Sequence, residues 1–276
     1  MSTLIEKIRE TYRLIQARGD DGVWLSLVPE AEALACAERL EEAGLLHGML
    51  FAVKDNIDVA GLPTTAACPE FSYVPEKNAF VVQRLIDAGA IVIGKTNLDQ
   101  FATGLNGTRT PHTIPRNAYN ADYVSGGSSS GSAIAVALGE VDFALGTDTA
   151  GSGRVPAGFN NLVGFKPTKG RWSTSGLVPA CRSLDCITVF AKTLQLAAKV
   201  DRVVAGFDPE DPFSRAEPEG FHAEKKCLAV LTEAQREFFG DSEYARLYAE
   251  ALAKAEALGW TLIEFDYEPL LAAAAL

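Results

Sequence analysis

Three stretches of this 276-residue chain carry residue types that could do chemistry together. Two are Gly/Ser-rich: Gly126-Gly127-Ser128-Ser129-Ser130-Gly131-Ser132 and Gly146-Thr147-Asp148-Thr149-Ala150-Gly151-Ser152-Gly153-Arg154. The third is Lys54, at the end of the apolar run Leu50-Phe51-Ala52-Val53. One lysine and two serine loops suffice for a nucleophilic site without histidine, aspartate or metal, a serine–lysine variant of triad logic. A serine hydroxyl is a weak nucleophile until a neighbour takes its proton. Neutral lysine can take it, but free lysine titrates at about 10.4. The lysine must therefore be desolvated or set near other cations. The apolar run before Lys54 fits desolvation; the competing reading is an ordinary surface lysine.

Other readings of the loops stay open at this level. Composition alone allows 126–132 to be a flexible linker. Against that, it runs into Ala133-Ile134-Ala135-Val136-Ala137-Leu138, closed by Gly139, so it opens a buried helix. Backbone N–H groups at such a start suit an anion or oxyanion. A phosphate loop is the other functional reading, but neither G-x-x-x-x-G-K-[ST] nor a strand-following G-x-G-x-x-G is present. Cys181 and Cys186 offer a cysteine nucleophile, yet no histidine lies in a matching context, and small buried apolar residues are the plainer reading.

The elements that must position these residues follow from periodicity. Residues 2–18 place Leu4, Ile5, Ile8, Tyr12 and Ile15 on one helical face. Pro29 and Gly44 bracket an Ala/Glu-rich helix, as first position and C-cap. A strand at 50–53, a helix at 78–88 closed by Gly89 and a strand at 90–93 predict a parallel or mixed sheet covered by helices. Residues 104–127, rich in Gly, Pro, Asn and Thr, predict a long ordered loop of the kind that is often functional. A strand at 186–190 and a helix at 193–204 follow. Then come a polar linker or exposed loop at 207–221, a strand at 227–231, a helix at 242–258 capped by Gly259 and a strand at 261–265. Residues 270–276 begin another helix.

Composition bounds the rest. The chain is 47% apolar and 22% charged, enough for a sizeable core in one large domain or two small ones. A net charge of −11 argues against nucleic acid or an anionic membrane as partner. No 18-residue apolar run exists, and the N-terminus reads as an amphipathic helix, not a signal peptide. Five scattered cysteines without a C-x-x-C pair fit reduced thiols in a cytoplasmic protein. With three histidines and no His/Cys cluster, no zinc site is expected.

Phe51-Ala52-Val53-Lys54-Asp55-Asn56, Gly94-Lys95-Thr96-Asn97 and the two serine loops resemble, in order, the successive motifs of the amidase signature family. The resemblance spans about residues 48–191 and implies an α/β fold with a mixed central sheet covered by helices on both sides. It also implies Ser152 as nucleophile, Ser128 as bridging serine, Lys54 as base, and a cis peptide bond just before Ser128. Ser128 and Ser152 stand 24 positions apart, the spacing that the family implies. The backbone N–H groups of Thr149, Ala150 and Gly151 become the expected oxyanion hole. Gly126 and Gly127, small enough for that geometry, are expected against the substrate. Asp148 and Arg154 are expected to brace the nucleophile loop as a charge pair. No cofactor or metal is implied.

Finer features resemble the allophanate hydrolase branch: Asn97–Gly104, Gly107–Pro111, and above all Val178–Phe190, in which Cys186-Ile187-Thr188-Val189 stands where general amidases tend to show His-Val-Gly-Pro. The implied reaction is hydrolysis of the terminal amide of allophanate, with release of ammonia. Its substrate carries a carboxylate, for which Arg109 and Arg182 are the expected partners. Because family members run well past the length of this chain, we expect it to be the N-terminal portion of a single amidase domain. Exposed apolar edges would then invite oligomers or aggregation; a homo-oligomer or other urea-degradation subunits are the expected protein partners. Two alternatives stand: an amidotransferase-type subunit that passes ammonia to a partner, and a non-catalytic interaction protein.

Overall fold

A computed structural model describes residues 2–40, 44–216 and 226–275. They form two compact units, Met1–Glu217 and Pro218–Leu276.

In the first unit six strands make one mixed sheet: β1 (Trp24–Leu27), β2 (Leu50–Lys54), β3 (Ile91–Thr96), β4 (Phe143–Thr147), β5 (Val163–Phe165) and β6 (Ile187–Ala191). Their order is β1-β3-β2-β4-β6-β5, with β2 parallel to both β3 and β4 and the remaining pairs antiparallel. The central strands are buried throughout because both faces of the sheet are covered. Side chains alternate across a strand, and here the alternation sorts them into two cores. Phe51, Val53, Phe143, Leu145, Ile187 and Val189 pack with α3 (Phe80–Asp87) and α6 (Leu194–Val204). Leu50, Ala52, Ala144 and Phe190 pack with α1 (Ser2–Arg18), α2 (Glu30–Arg39), α4 (Ser130–Ala137) and Ala157 of α5 (Arg154–Phe159). The fold is thus the mixed α/β sheet, helical on both sides, that the sequence predicts.

By the same alternation Lys54, two residues beyond Ala52, belongs to the face that carries α4. This helix is apolar and small-sided all round, which lets it lie buried against the sheet with Ser128 just ahead of its first turn.

The second unit holds β7 (Cys227–Leu231), α7 (Ser242–Ala257), β8 (Thr261–Phe265) and α8 (Glu268–Ala274), with β7 and β8 paired in parallel.

Several boundaries differ from expectation. Pro29 stands one position before α2, as its N-cap, and the helix stops at Arg39 with Leu40 as C-cap. Gly44 is therefore not its C-cap. β1 has no counterpart in the sequence reading, since Trp-Leu-Ser-Leu is too short for a periodicity. Residues 104–127 form the expected loop, apart from an isolated bridge between Arg116 and Val124. The described part of the expected linker, 207–216, is a built loop: Asp208 accepts from Ser173 and Ser175, and Asp211 from Thr174. Residues 217–221 of that expectation lie outside the described residues. Among the described residues no helix is long and apolar enough to cross a membrane.

Candidate active site

Strand β2 delivers Lys54 fully buried, and its Nζ donates to Ser128 Oγ at 2.7 Å and to Thr147 Oγ1 at 2.6 Å. The other serines of the first loop are otherwise employed. Ser129 Oγ donates to the Thr147 carbonyl and accepts from the Thr147 N–H, and Ser132 Oγ bonds Thr96 Oγ1 and the Leu145 carbonyl. Ser130 Oγ lies 3.5 Å from the Asn97 carbonyl. Ser128 alone has its hydroxyl committed to the lysine. The Gly127–Ser128 peptide is cis.

Burial pushes Lys54 down to about 7, against the pull of Asp99, Asp148 and Asp185, which favour the ammonium. Neighbouring Asp55 does not neutralise it: Asp55 pairs with buried Lys95 at 3.1 Å, and Lys95 also donates to Thr64 and the Pro63 carbonyl. The lysine of the second motif thus absorbs the carboxylate of the first and leaves Lys54 to the serine.

Ser152 sits in the turn between β4 and α5, nearly buried. Its carbonyl accepts from the Ser129 N–H at 3.3 Å, while its hydroxyl lies 3.5 Å from the Gly104 carbonyl. The structure therefore joins Lys54 to Ser128 through side chains, and Ser152 to the Ser128 loop through backbone. Around Ser152 the buried Asp148 carboxylate accepts from the N–H groups of Gly151, Gly153 and Arg154 and takes a two-pronged bond from the Arg154 guanidinium at 2.8 and 2.9 Å. Burial opposes its ionisation, but these donors outweigh it and hold the carboxyl below the usual range.

That brace removes Gly151 from the expected oxyanion donors, because its N–H is spent on Asp148 at 2.7 Å. The N–H groups of Thr149 and Ala150 have no acceptor among the described residues. Thr149 is further anchored by its hydroxyl, which donates to Asp185. Asp185 is nearly buried and also accepts from the N–H groups of Ala180 and Cys181. No motif in the sequence singled out Asp185 or Thr147, although both lie inside stretches already marked.

Gly126 and Gly127 are held by contact. A Cβ on Gly127 would stand 2.2 Å from Asp99 Oδ2, and one on Gly126 2.8 Å from the Pro156 backbone. Neither expected arginine touches Lys54, Ser128 or Ser152. The Arg109 guanidinium is exposed and reaches the Thr103 carbonyl at 3.4 Å. Arg182 is exposed on the rim of a cavity of about 190 Å³ that it shares with Asp58, Tyr73, Asp185 and Phe213. Burial pushes the Cys186 thiol up, away from the thiolate that a cysteine nucleophile needs.

The amidase family profile matches residues 10–276. The chain belongs to the amidase family. Among its relatives in this family, a urea amidolyase of Lachancea kluyveri is 49% identical over 262 residues, which covers 92% of this chain and 14% of that protein. A glutamyl-tRNA(Gln) amidotransferase subunit of Microcystis aeruginosa is 40% identical, covering 88% and 53%. The crystal structure of selenomethionine-substituted Kluyveromyces lactis allophanate hydrolase superposes with a TM-score of 0.89 at 43% identity, over 99% of this chain and 46% of that one. The chain thus spans less than half of the allophanate hydrolase and about one seventh of the urea amidolyase it matches.

Proposed function

We propose that this chain carries the Ser-cisSer-Lys site of an amide hydrolase whose substrate is allophanate. The observation that carries the reading is the buried Lys54–Ser128 bond on a lysine shifted toward neutrality. Neutral Lys54 accepts the Ser128 proton as Ser128 takes that of Ser152, and Ser152 Oγ attacks the terminal amide carbon. The developing oxyanion faces the N–H groups of Thr149 and Ala150. The proton returns along the same relay to the leaving nitrogen, so ammonia departs and an acyl-serine remains. Water, deprotonated by the same relay, then releases the carboxylated carbamate, which loses carbon dioxide.

Allophanate is favoured over other amides by the stretch Val178–Phe190 and by the names of the relatives at 43–49% identity. Its carboxylate calls for a cation on a chain of charge −11, and Arg109 and Arg182 are the candidates. Arg109→Ala is expected to raise KM much more than it lowers kcat; an unchanged KM removes Arg109 from the pocket. Five unpaired thiols accord with a cytoplasmic setting.

The deciding experiment is ammonia release from allophanate, with Ser152→Ala as control. Release that is lost in Ser152→Ala supports the reading, and release that survives it sinks Ser152 as nucleophile. A second reading, an ammonia-transferring subunit, draws on the 40% identity to the tRNA amidotransferase subunit. It expects glutamine, not allophanate, to be the amide consumed, and only with a partner present.

A further inference from the structure

Asp99 is fully buried, and no cation forms an ion pair with it among the described residues. Such a carboxylate is costly unless its surroundings use it. Its oxygens accept from the N–H groups of Gly107 at 3.0 Å and Arg109 at 2.7 Å, and its own N–H donates to the Ser128 carbonyl at 3.0 Å. The same ties continue on either side: Gln100 N–H meets the Arg109 carbonyl, and Gly127 N–H meets the Leu105 carbonyl, both at 2.7 Å. Gly104 and Gly127 lie so close that a Cβ on either would stand within 2.5 Å of Asp99 Oδ2. The carboxylate therefore sits against the cis peptide that ends in Ser128, whose hydroxyl holds Lys54.

We propose that Asp99 is a positioning residue of the serine–lysine site, clamping the 104–109 loop to the Gly127–Ser128 peptide and setting a carboxylate with no cation partner against the serine that holds Lys54. The inference rests on Lys54 being the base. Of the three carboxylates that favour the Lys54 ammonium, only Asp148 has a cation partner among the described residues. Asp148 is paired with Arg154, Asp185 is held by Thr149 and two backbone N–H groups, and Asp55, in the turn just past β2, pairs with Lys95 of β3. Asp99 is the first of the three carboxylates that favour the Lys54 ammonium. It thereby limits how far burial can drive the lysine toward the neutral form, and sets the pH at which the relay can start.

The test is a direct titration of Lys54 in the full chain labelled with [13Cε]lysine, the Lys54 signal being the one absent from Lys54→Met. Asp99→Asn removes the charge at nearly constant shape, so the Lys54 midpoint is expected to fall by about one pH unit, the scale of a nearby charge. The acid limb of kcat/KM for allophanate moves down with it, and Asp99→Glu restores both toward wild type. A role confined to bracing the loop lowers kcat and leaves the midpoint where it was. An unmoved midpoint in folded Asp99→Asn overturns the proposal. A midpoint that falls while the acid limb stays keeps the charge effect on Lys54 but refutes Lys54 as the base, and with it the control of the relay by Asp99. Should Asp99→Asn fail to fold, Asp99→Ser, which leaves room for water, is subject to the same two outcomes.

Discussion

Burial lowers Lys54 from 10.5 to about 7, so between those limits the unfolded chain holds a proton that the folded chain has released. Stability must then rise with pH across that window, and the penalty is fully present below about 7. A gap of this size corresponds to a penalty on the order of 4–5 kcal/mol. Lys54→Met removes it but strands the hydroxyls of Ser128 and Thr147, each worth about 1 kcal/mol. The variant is expected to be inactive, yet more stable than wild type by about 1–3 kcal/mol near pH 6, with the gain fading as the pH nears 10. Denaturant titrations at those two pH values check this; a variant equally destabilised at both would mean that Lys54 is folded as a paired ammonium. In the wild type the same titration places the acid limb of kcat/KM near pH 7, with activity rising as the lysine becomes neutral.

The turn that carries Ser152 is an element with its own framework, Asp148 at its centre. Arg154→Ala leaves a buried carboxylate with backbone donors only, which is expected to cost about 1–3 kcal/mol and to lower kcat by loosening Thr149 and Ala150. Arg154→Lys, a single-pronged donor, should recover part of both; equal loss in the two variants would point to the arginine's shape and not its bond. Gly146 shows why β4 carries no side chain there. A Cβ would stand 2.6 Å from Phe190 and 2.8 Å from Ser129 Oγ, so Gly146→Ala should destabilise by about 1–3 kcal/mol, measured by thermal melting. Elements with a clear local signal were legible in sequence: α1 at 2–18 by its helical period, and β7 at 227–231 and β8 at 261–265 as short, mostly apolar runs on either side of a helix, coincide with their expected spans. Lys54 was legible because an apolar strand ends on it. Asp99, Thr147 and Asp185 were not legible as site-forming, since what ties them to the site is contact with Ser128, Lys54 and Thr149, which lie 29, 93 and 36 positions away in the chain. The spent N–H of Gly151 was hidden too, being fixed by how Asp148 folds back, which no spacing announces.

At the scale of the whole molecule the two units differ sharply in how they bury themselves. The first has two cores on opposite faces of its sheet, whereas among the described residues of 226–275 only Val230 is buried. A parallel strand pair with one helix between its strands and so little burial has few contacts to resist local opening. Amide exchange in β7 and β8 is therefore expected to run orders of magnitude faster than in β2, β3 and β4, and equal protection would contradict this. Leu228, Trp260, Ile263, Phe265, Leu270 and Leu271 are all exposed there, a concentration of apolar surface that favours association. The net charge of −11 opposes it through mutual repulsion. Screening that repulsion, from about 0.05 M to about 0.5 M salt, should raise the sedimentation coefficient in a concentration-dependent way. Ile263→Lys with Phe265→Lys should abolish the rise while leaving the Lys54 titration untouched. If the double variant associates as readily as wild type, the contact lies elsewhere on the chain.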